Sequence, residues 1–230
     1  MEKKSIVLLH GAIGEKSQLS PLKKELERTY QVYSFNFDGH GSKISKKDFS
    51  IELFSQNLYD FLNDNNLENV SIFGYSMGGY VALNLALIVP SRIDKIITYG
   101  TKFDWTPEVA ENETKQLNAE KIEVKIPKFA AYLETVHEAN NWKTVLEKTA
   151  KMMVELGEKP VLSADKLKNI QCPTWLLSGD KDLMVTSEET SRFSSFIPNS
   201  EFFEMKDFVH PILQVDARLL SLKIEEFIGN

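Results

Sequence analysis

Short runs of apolar residues alternate along the chain with longer stretches in which apolar side chains recur every three or four positions. The runs are SIVLLH at 5–10, QVYSFNF at 31–37, NVSIFG at 69–74, KIITYG at 95–100, TWLLSG at 174–179 and EFFEM at 201–205. Each has the length and the β-branched or aromatic content of a strand. The first five are nearly continuous in apolar residues, as strands covered on both faces must be. Between the runs, helical spacing sets Leu19, Leu22 and Leu26 on one face, then Ile51, Phe54, Leu58, Phe61 and Leu62 on another. Val81, Leu83, Leu85 and Leu87 follow, and Leu213, Leu219, Leu220, Ile224 and Phe227 close the chain. Alternation of this kind predicts an α/β fold, a mostly parallel sheet of about six strands with helices on both faces and right-handed crossovers.

The alternation stops between 101 and 170, where no strand-like run occurs. Trp142, Val145, Leu146, Thr149, Met152 or Met153, and Leu156 form one helical stripe. Phe129, Leu133 and Val136 form another, with Pro127 near its first turn. The chain therefore divides into a core of residues 1–100 and 171–230 and an all-helical insertion at 101–170. No internal repeat or low-complexity segment interrupts this plan.

Composition narrows the class. With 230 residues, 42% of them hydrophobic, the chain can bury one sizeable core. Its net charge of -6 and its interleaved lysines and acids leave no clustered basic footprint for nucleic acid. Arg28, Arg92, Arg192 and Arg218 are the only arginines, and none falls in the insertion. The one cysteine, Cys172, reads as a small buried hydrophobe. The apolar run after MEKK is too short for a signal peptide or a membrane span, so a soluble, cytoplasmic protein is expected.

The chemistry centres on FGYSMGG at 73–79. A strand ends, the chain turns abruptly, and a helix begins, with Gly74 and Gly78 two positions either side of Ser76. Such a turn holds the serine hydroxyl above the sheet edge, and the helix N-terminus points its amides and positive dipole end at charge developing there. A serine hydroxyl needs a base, and the base needs a carboxylate to orient it. Of four histidines, His10 and His40 lie beside glycines and read as structural loop residues, and His137 reads as a solvated residue of the insertion. His210 follows a strand through the short loop KDFVH, with Pro211 placed to open the next helix. Asp182 gives the chain order Ser, Asp, His, each residue after a successive strand; Asp180 competes with it, and Asp207 lies in the His210 loop itself.

Taken together, LLHGAIG, FDGHGSK, GYSMGG, GDKD and VH occur in the order found in α/β-hydrolase fold proteins, and over nearly its whole length the chain resembles small single-domain bacterial members of that superfamily. The resemblance implies a catalytic triad of Ser76, Asp182 and His210, with Asp182 preferred over Asp180, and an oxyanion hole made by the backbone amides of Ala12 and Met77. It also implies that residues 101–170 form a helical cap that shapes the pocket. Two departures stand out: the sequence opens directly on the strand before the HG motif, so about six strands are expected without the two that precede it in larger members, and Val209 stands where the family usually has glycine before the histidine.

A serine at the turn, rather than an aspartate, points to acyl transfer to water. The expected function is cleavage of a small carboxylic ester or thioester through an acyl-enzyme, without cofactor or metal. The alternatives are lyase or carbon–carbon hydrolase chemistry with the same triad, or a ligand sensor with vestigial hydrolysis. Scarce arginine favours a neutral, partly apolar small molecule, since bidentate carboxylate capture prefers Arg. Trp105, Phe129, Tyr132, Trp142, Met152 and Met153 have the size to line an apolar cavity, but core packing of the insertion is the expected place for most of them. Oligomeric state is left open.

Overall fold

The computed structural model describes residues 3–229. Its centre is a six-stranded sheet with the order β2-β1-β3-β4-β5-β6, every pair parallel. β1 is Ser5–Leu9, β2 Gln31–Ser34, β3 Val70–Tyr75, β4 Ile93–Tyr99, β5 Thr174–Gly179 and β6 Ser200–Met205. Two-residue alternation sorts their side chains. Val7, Leu9, Ile72 and Leu176 join one apolar cluster, while Ile6, Leu8, Phe73 and Leu177 join another on the opposite face.

Helices cover both faces. α1 (Ser20–Leu26) lies on one side, α2 (Ile51–Asp64) and α3 (Met77–Ile88) on the other. α2 starts at Ser50, whose hydroxyl accepts the Leu53 N–H at 3.0 Å. α3 is buried on every side from Met77 to Ala86, the pattern of a central helix. Between β4 and β5 run α4 (Pro107–Thr114), α5 (Ala119–Lys125), α6 (Pro127–Val136), α7 (Trp142–Glu158) and the short α8 (Ala164–Leu167). α7 buries Trp142, Val145, Leu146, Thr149, Met152 and Leu156, the stripe expected of it. α9 (Ser187–Ser194) packs beside β5 and β6, and α10 (Ala217–Gly229) returns to the α1 face.

Two local expectations change. The run at 31–37 pairs only as far as Ser34, because β1, its sole neighbour, offers partners only from Ser5 to Leu8. Beyond that point side chains take over the backbone bonding: Asn36 Oδ1 accepts the Lys16 N–H, and His10 Nε2 accepts the Phe37 N–H. At the other end of the chain, Pro211 precedes only a 3-10 turn at Ile212–Gln214; α10 opens later, at Ala217. Leu213 and Leu219 are consequently exposed rather than on the buried face.

The strand order reverses direction at β1 and β3. In open parallel sheets the crevice beyond the strand ends at such a reversal is where ligands sit. Gly11–Gly14 follow β1 and Ser76 follows β3, so both loops open onto that crevice.

Candidate active site

Ser76 has φ 52° and ψ -118°, a left-handed conformation that side chains rarely adopt. The neighbours hold it there. Its N–H donates to Tyr99 O at 2.8 Å, and its carbonyl accepts from Gly79 N–H at 3.0 Å and from the Thr101 hydroxyl at 2.9 Å. The flanking glycines are a steric necessity. A Cβ on Gly74 would lie 2.3 Å from Gly79 N, and one on Gly78 would lie 2.6 Å from Leu9 O. Strand, turn and the next loop pass too closely for any side chain.

The expected carboxylate and base meet. His210 Nδ1–H donates to Asp182 Oδ2 at 2.8 Å, and the Asp182 side chain is 0% exposed. Asp182 Oδ1 is fixed independently by the N–H groups of Met184 and Val185, at 2.8 and 2.9 Å. The carboxylate is thus oriented by its own loop before it orients the ring. Neither rival joins it: Asp180 is exposed, and Asp207 pairs with Lys181 at 2.6 Å. With Nδ1 donating, His210 Nε2 carries the free lone pair on the other edge of the ring.

Ser76, His210, Ala12 and Met77 line a common cavity of about 50 Å³, and Ala12, Ser76 and His210 also border a second, wider one of about 810 Å³. No hydrogen bond joins Ser76 Oγ to His210 among the described residues; such bonds commonly tighten only when substrate is bound. Met77 is the first residue of α3, so its amide has no partner within the helix. In the loop after β1 the turn bond is made by Gly14 N–H to Gly11 O, which leaves the Ala12 amide outside the turn.

Other residues shape the site in ways the sequence did not announce. The Tyr99 hydroxyl donates to Val209 O at 2.6 Å, and Lys181 N–H donates to Phe208 O at 3.0 Å. These bonds hold the His210 loop where Val209 replaces the usual glycine. Burial pushes the Tyr99 phenol up, so it stays a donor. A tyrosine closing a strand pattern gives no hint of this contact.

His137 corrects the sequence reading most sharply. It is not solvated but 0% exposed, at the end of α6. Its Nε2–H donates to Ile13 O at 2.9 Å, and its Nδ1 accepts the Gly41 N–H at 3.0 Å. One insertion side chain therefore ties together the loops after β1 and β2. It stands against His40, with ring centroids 5.9 Å apart, and His40 stands against His10 at 5.2 Å. All three are neutral. Burial lowers His10 to about 4 and drives His40 and His137 down as well.

Most of the aromatic and methionine residues of the insertion pack in or against apolar clusters as expected, and several of them line a cavity as well. Trp142 is core; Trp105 packs against the main cluster and lines the smaller cavity, Phe129 and Tyr132 pack against the cluster around Trp142 and line the larger, and Met153 lines both cavities. Met152 is buried in the main cluster and also lines the smaller cavity. Cys172 packs at the core margin, half-buried, and burial pushes its thiol up, away from thiolate chemistry.

The sheet order agrees with the comparison to known families. The alpha/beta hydrolase fold family matches residues 4–121, just over half of the chain, and the chain belongs to that family. Among curated relatives, the pimeloyl-[acyl-carrier protein] methyl ester esterase of Nitrosospira multiformis is 25% identical over 246 residues, covering 94% of this chain and 91% of that protein. Esterase YbfF of Escherichia coli is 27% identical over 92 residues, which is 40% of this chain and only 36% of its own length. Among solved structures, a thermophilic esterase from Thermogutta terrifontis shares the fold with a TM-score of 0.79 at 24% identity, covering 99% of this chain and 90% of that one. An enol-lactonase from Burkholderia xenovorans does so with a TM-score of 0.82 at 17% identity, covering 100% and 93%. No helix among the described residues is long and apolar enough to cross a membrane.

Proposed function

We propose that the protein is a serine hydrolase that cleaves carboxylic esters or thioesters through an acyl-enzyme on Ser76. The observation that carries this reading is the Asp182–His210 hydrogen bond beside a cavity that Ser76 also lines. His210 Nε2 takes the Ser76 hydroxyl proton as the oxygen attacks the carbonyl carbon, and Asp182 steadies the imidazolium that results. The amides of Ala12 and Met77 receive the oxyanion, each contributing on the order of 3 kcal/mol to the transition state. As the tetrahedral intermediate collapses, His210 gives the proton to the leaving oxygen or sulfur. It then activates a water that releases the acyl group and restores Ser76.

Residues 1–100 and 171–230 serve in this reading as the catalytic core, and 101–170 as the cap that walls the cavity. The esterase names of several relatives support ester chemistry over lyase or sensor roles. Steady-state hydrolysis of 4-nitrophenyl acetate tests it. The wild type turns the ester over, and Ser76→Ala loses at least a thousand-fold in kcat, on the order expected for removal of a nucleophile. Retained turnover in Ser76→Ala removes the assignment. Stoichiometric acylation without turnover moves the protein to the sensor class.

A further inference from the structure

We infer that the substrate pairs a short apolar acyl group with a large leaving group that ends in negative charge. This rests on the hydrolase reading of Ser76 and adds what the two cavities say about the two arms of the ester. They meet at Ala12, Ser76 and His210, with Glu113, Met153 and Met184 also common to both, and differ sharply in size, about 50 Å³ against about 810 Å³. The smaller has room for a short chain beside Ser76 and far less than its neighbour. Its walls are mostly apolar, Ile51, Tyr80, Trp105, Met152, Leu156 and Val185 among them, and the charged pair that borders it, Lys102 and Glu113, is matched internally at 3.3 Å. The larger is of the size that encloses an extended small molecule.

Proton delivery decides which arm goes where. When the acyl–oxygen or acyl–sulfur bond breaks, the leaving atom must take the proton held by His210, so it departs on the side of the His210 loop. That loop, from His210 to Gln214, forms one bank of the wide cavity and contributes only His210 to the narrow one. Met77, whose amide receives the oxyanion, lines the narrow cavity and not the wide one. The acyl arm therefore occupies the narrow cavity and the alcohol or thiol the wide one.

The wide cavity is amphiphilic in a graded way. Near the middle, Phe129 and Tyr132 stack with ring centroids 6.2 Å apart. Ile126 and Leu213 also line it, with 54% and 53% of their surface exposed, and carry apolar surface out to solvent. Around the rim stand Lys121, Lys125 and Lys128, all exposed and all outside the ion pairs formed among the described residues. The other charged lining groups are already matched: Lys115 pairs with Glu111 at 3.1 Å, and Glu113 with Lys102 at 3.3 Å. Three unmatched lysines at one mouth, in a chain of net charge -6, suit a carboxylate, sulfonate or phosphate at the far end of an apolar leaving group. Lysine supplies that attraction as point charges, without the bidentate arginine whose absence from the insertion first suggested a neutral ligand.

The test uses two ester series. In the first, kcat/KM for 4-nitrophenyl acetate, butyrate and octanoate falls at least ten-fold from butyrate to octanoate; octanoate turned over as well as acetate overturns the acyl assignment. In the second, acetyl 1-naphthol is compared with its counterpart carrying a distal sulfonate. The ratio of kcat/KM, sulfonated over plain, falls about ten-fold in the charge-reversed variant Lys121→Glu/Lys125→Glu/Lys128→Glu. In the wild type the same ratio falls between 50 and 500 mM salt. Comparing ratios cancels the sulfonate's effect on the leaving group itself. A ratio indifferent to both charge reversal and salt overturns the anionic assignment. If the wild type hydrolyses neither naphthyl ester nor any nitrophenyl ester, the hydrolase reading fails and takes this inference with it.

Discussion

The three buried histidines make the fold sensitive to acid in a range where carboxylates are not yet involved. His10, His40 and His137 lie against one another between the loops after β1 and β2 and the end of α6. Each is fixed as a neutral tautomer: His10 donates from Nδ1 to Gly11 O and accepts at Nε2 from Phe37 N–H. His137 donates to Ile13 O and accepts from Gly41 N–H, and His40 donates from Nδ1 to Asp38 O. A proton added to His10 Nε2 or His137 Nδ1 would point at an N–H already aimed there. Burial therefore lowers His10 from its ordinary 6.5 to about 4, with His137 adding a smaller push, and lowers His40 and His137 in the same direction. Glu15 and the Ile13 carbonyl oppose the shift at His137 without reversing it.

The sign follows from proton counting. The unfolded chain takes up protons on these histidines as pH falls through 6.5, and the folded chain does not until near 4 for His10, so stability is complete above about pH 7 and is lost on the way down. At about 1.4 kcal/mol per pH unit, His10 alone costs about 2 kcal/mol between pH 7 and 5 and about 3 kcal/mol by pH 4. His40 and His137 add to this. Urea unfolding at pH 7, 6 and 5, in a His210→Asn background so that only these three histidines titrate, measures the slope. Carboxylates, with ordinary values near 4, contribute little above pH 5. A loss below about 1 kcal/mol between pH 7 and 5 would refute the reasoning.

Other expectations concern single side chains. Gly100 has φ +61°, and a Cβ there would sit 3.2 Å from His210 Cε1 and Nδ1 and 3.3 Å from Asp182 Oδ2. Gly100→Ala should cost about 1–2 kcal/mol in urea unfolding through its backbone alone, and lower kcat more than it raises KM by displacing the pair. Wild-type kcat in that variant would count against the pair's placement. Asp182→Asn should lower kcat on the order of a thousand-fold or more, while Asp180→Asn, altering an exposed side chain, should stay within about two-fold. The Tyr80 hydroxyl accepts the buried Leu162 N–H at 2.9 Å, so Tyr80→Phe should destabilise by about 1–3 kcal/mol in the same unfolding assay.

Most of the sheet was written in the periodicity. Fully buried strands such as Val70–Tyr75 announce themselves because every position must be apolar, whichever face it meets. The edge strand β2 was read too long because Phe35 and Phe37 are apolar for a different reason. They pack ring against ring, 5.2 Å apart, beyond the last residue that β1 can pair. The same limit explains the site. Ser76 and Asp182 lie in turns marked by glycines, Gly74 and Gly78 about the one and Gly179 before the other, and His210 is marked by the short loop after a strand. His137 and Tyr99 act through contacts 96 to 124 residues away and the three rim lysines through a cavity mouth, and no local pattern encodes such contacts. His137 looked like any polar residue at a helix end until Gly41 was brought beside it from 96 positions away.

The central claim is that Ser76 is the nucleophile activated by His210. Its most direct measurement is reaction with a fluorophosphonate followed by mass spectrometry of the intact chain and its peptides. A single adduct on the peptide carrying Ser76, absent in Ser76→Ala and strongly slowed in His210→Asn, is the predicted result. An adduct on another residue, or a Ser76 adduct formed at the wild-type rate without His210, would contradict it.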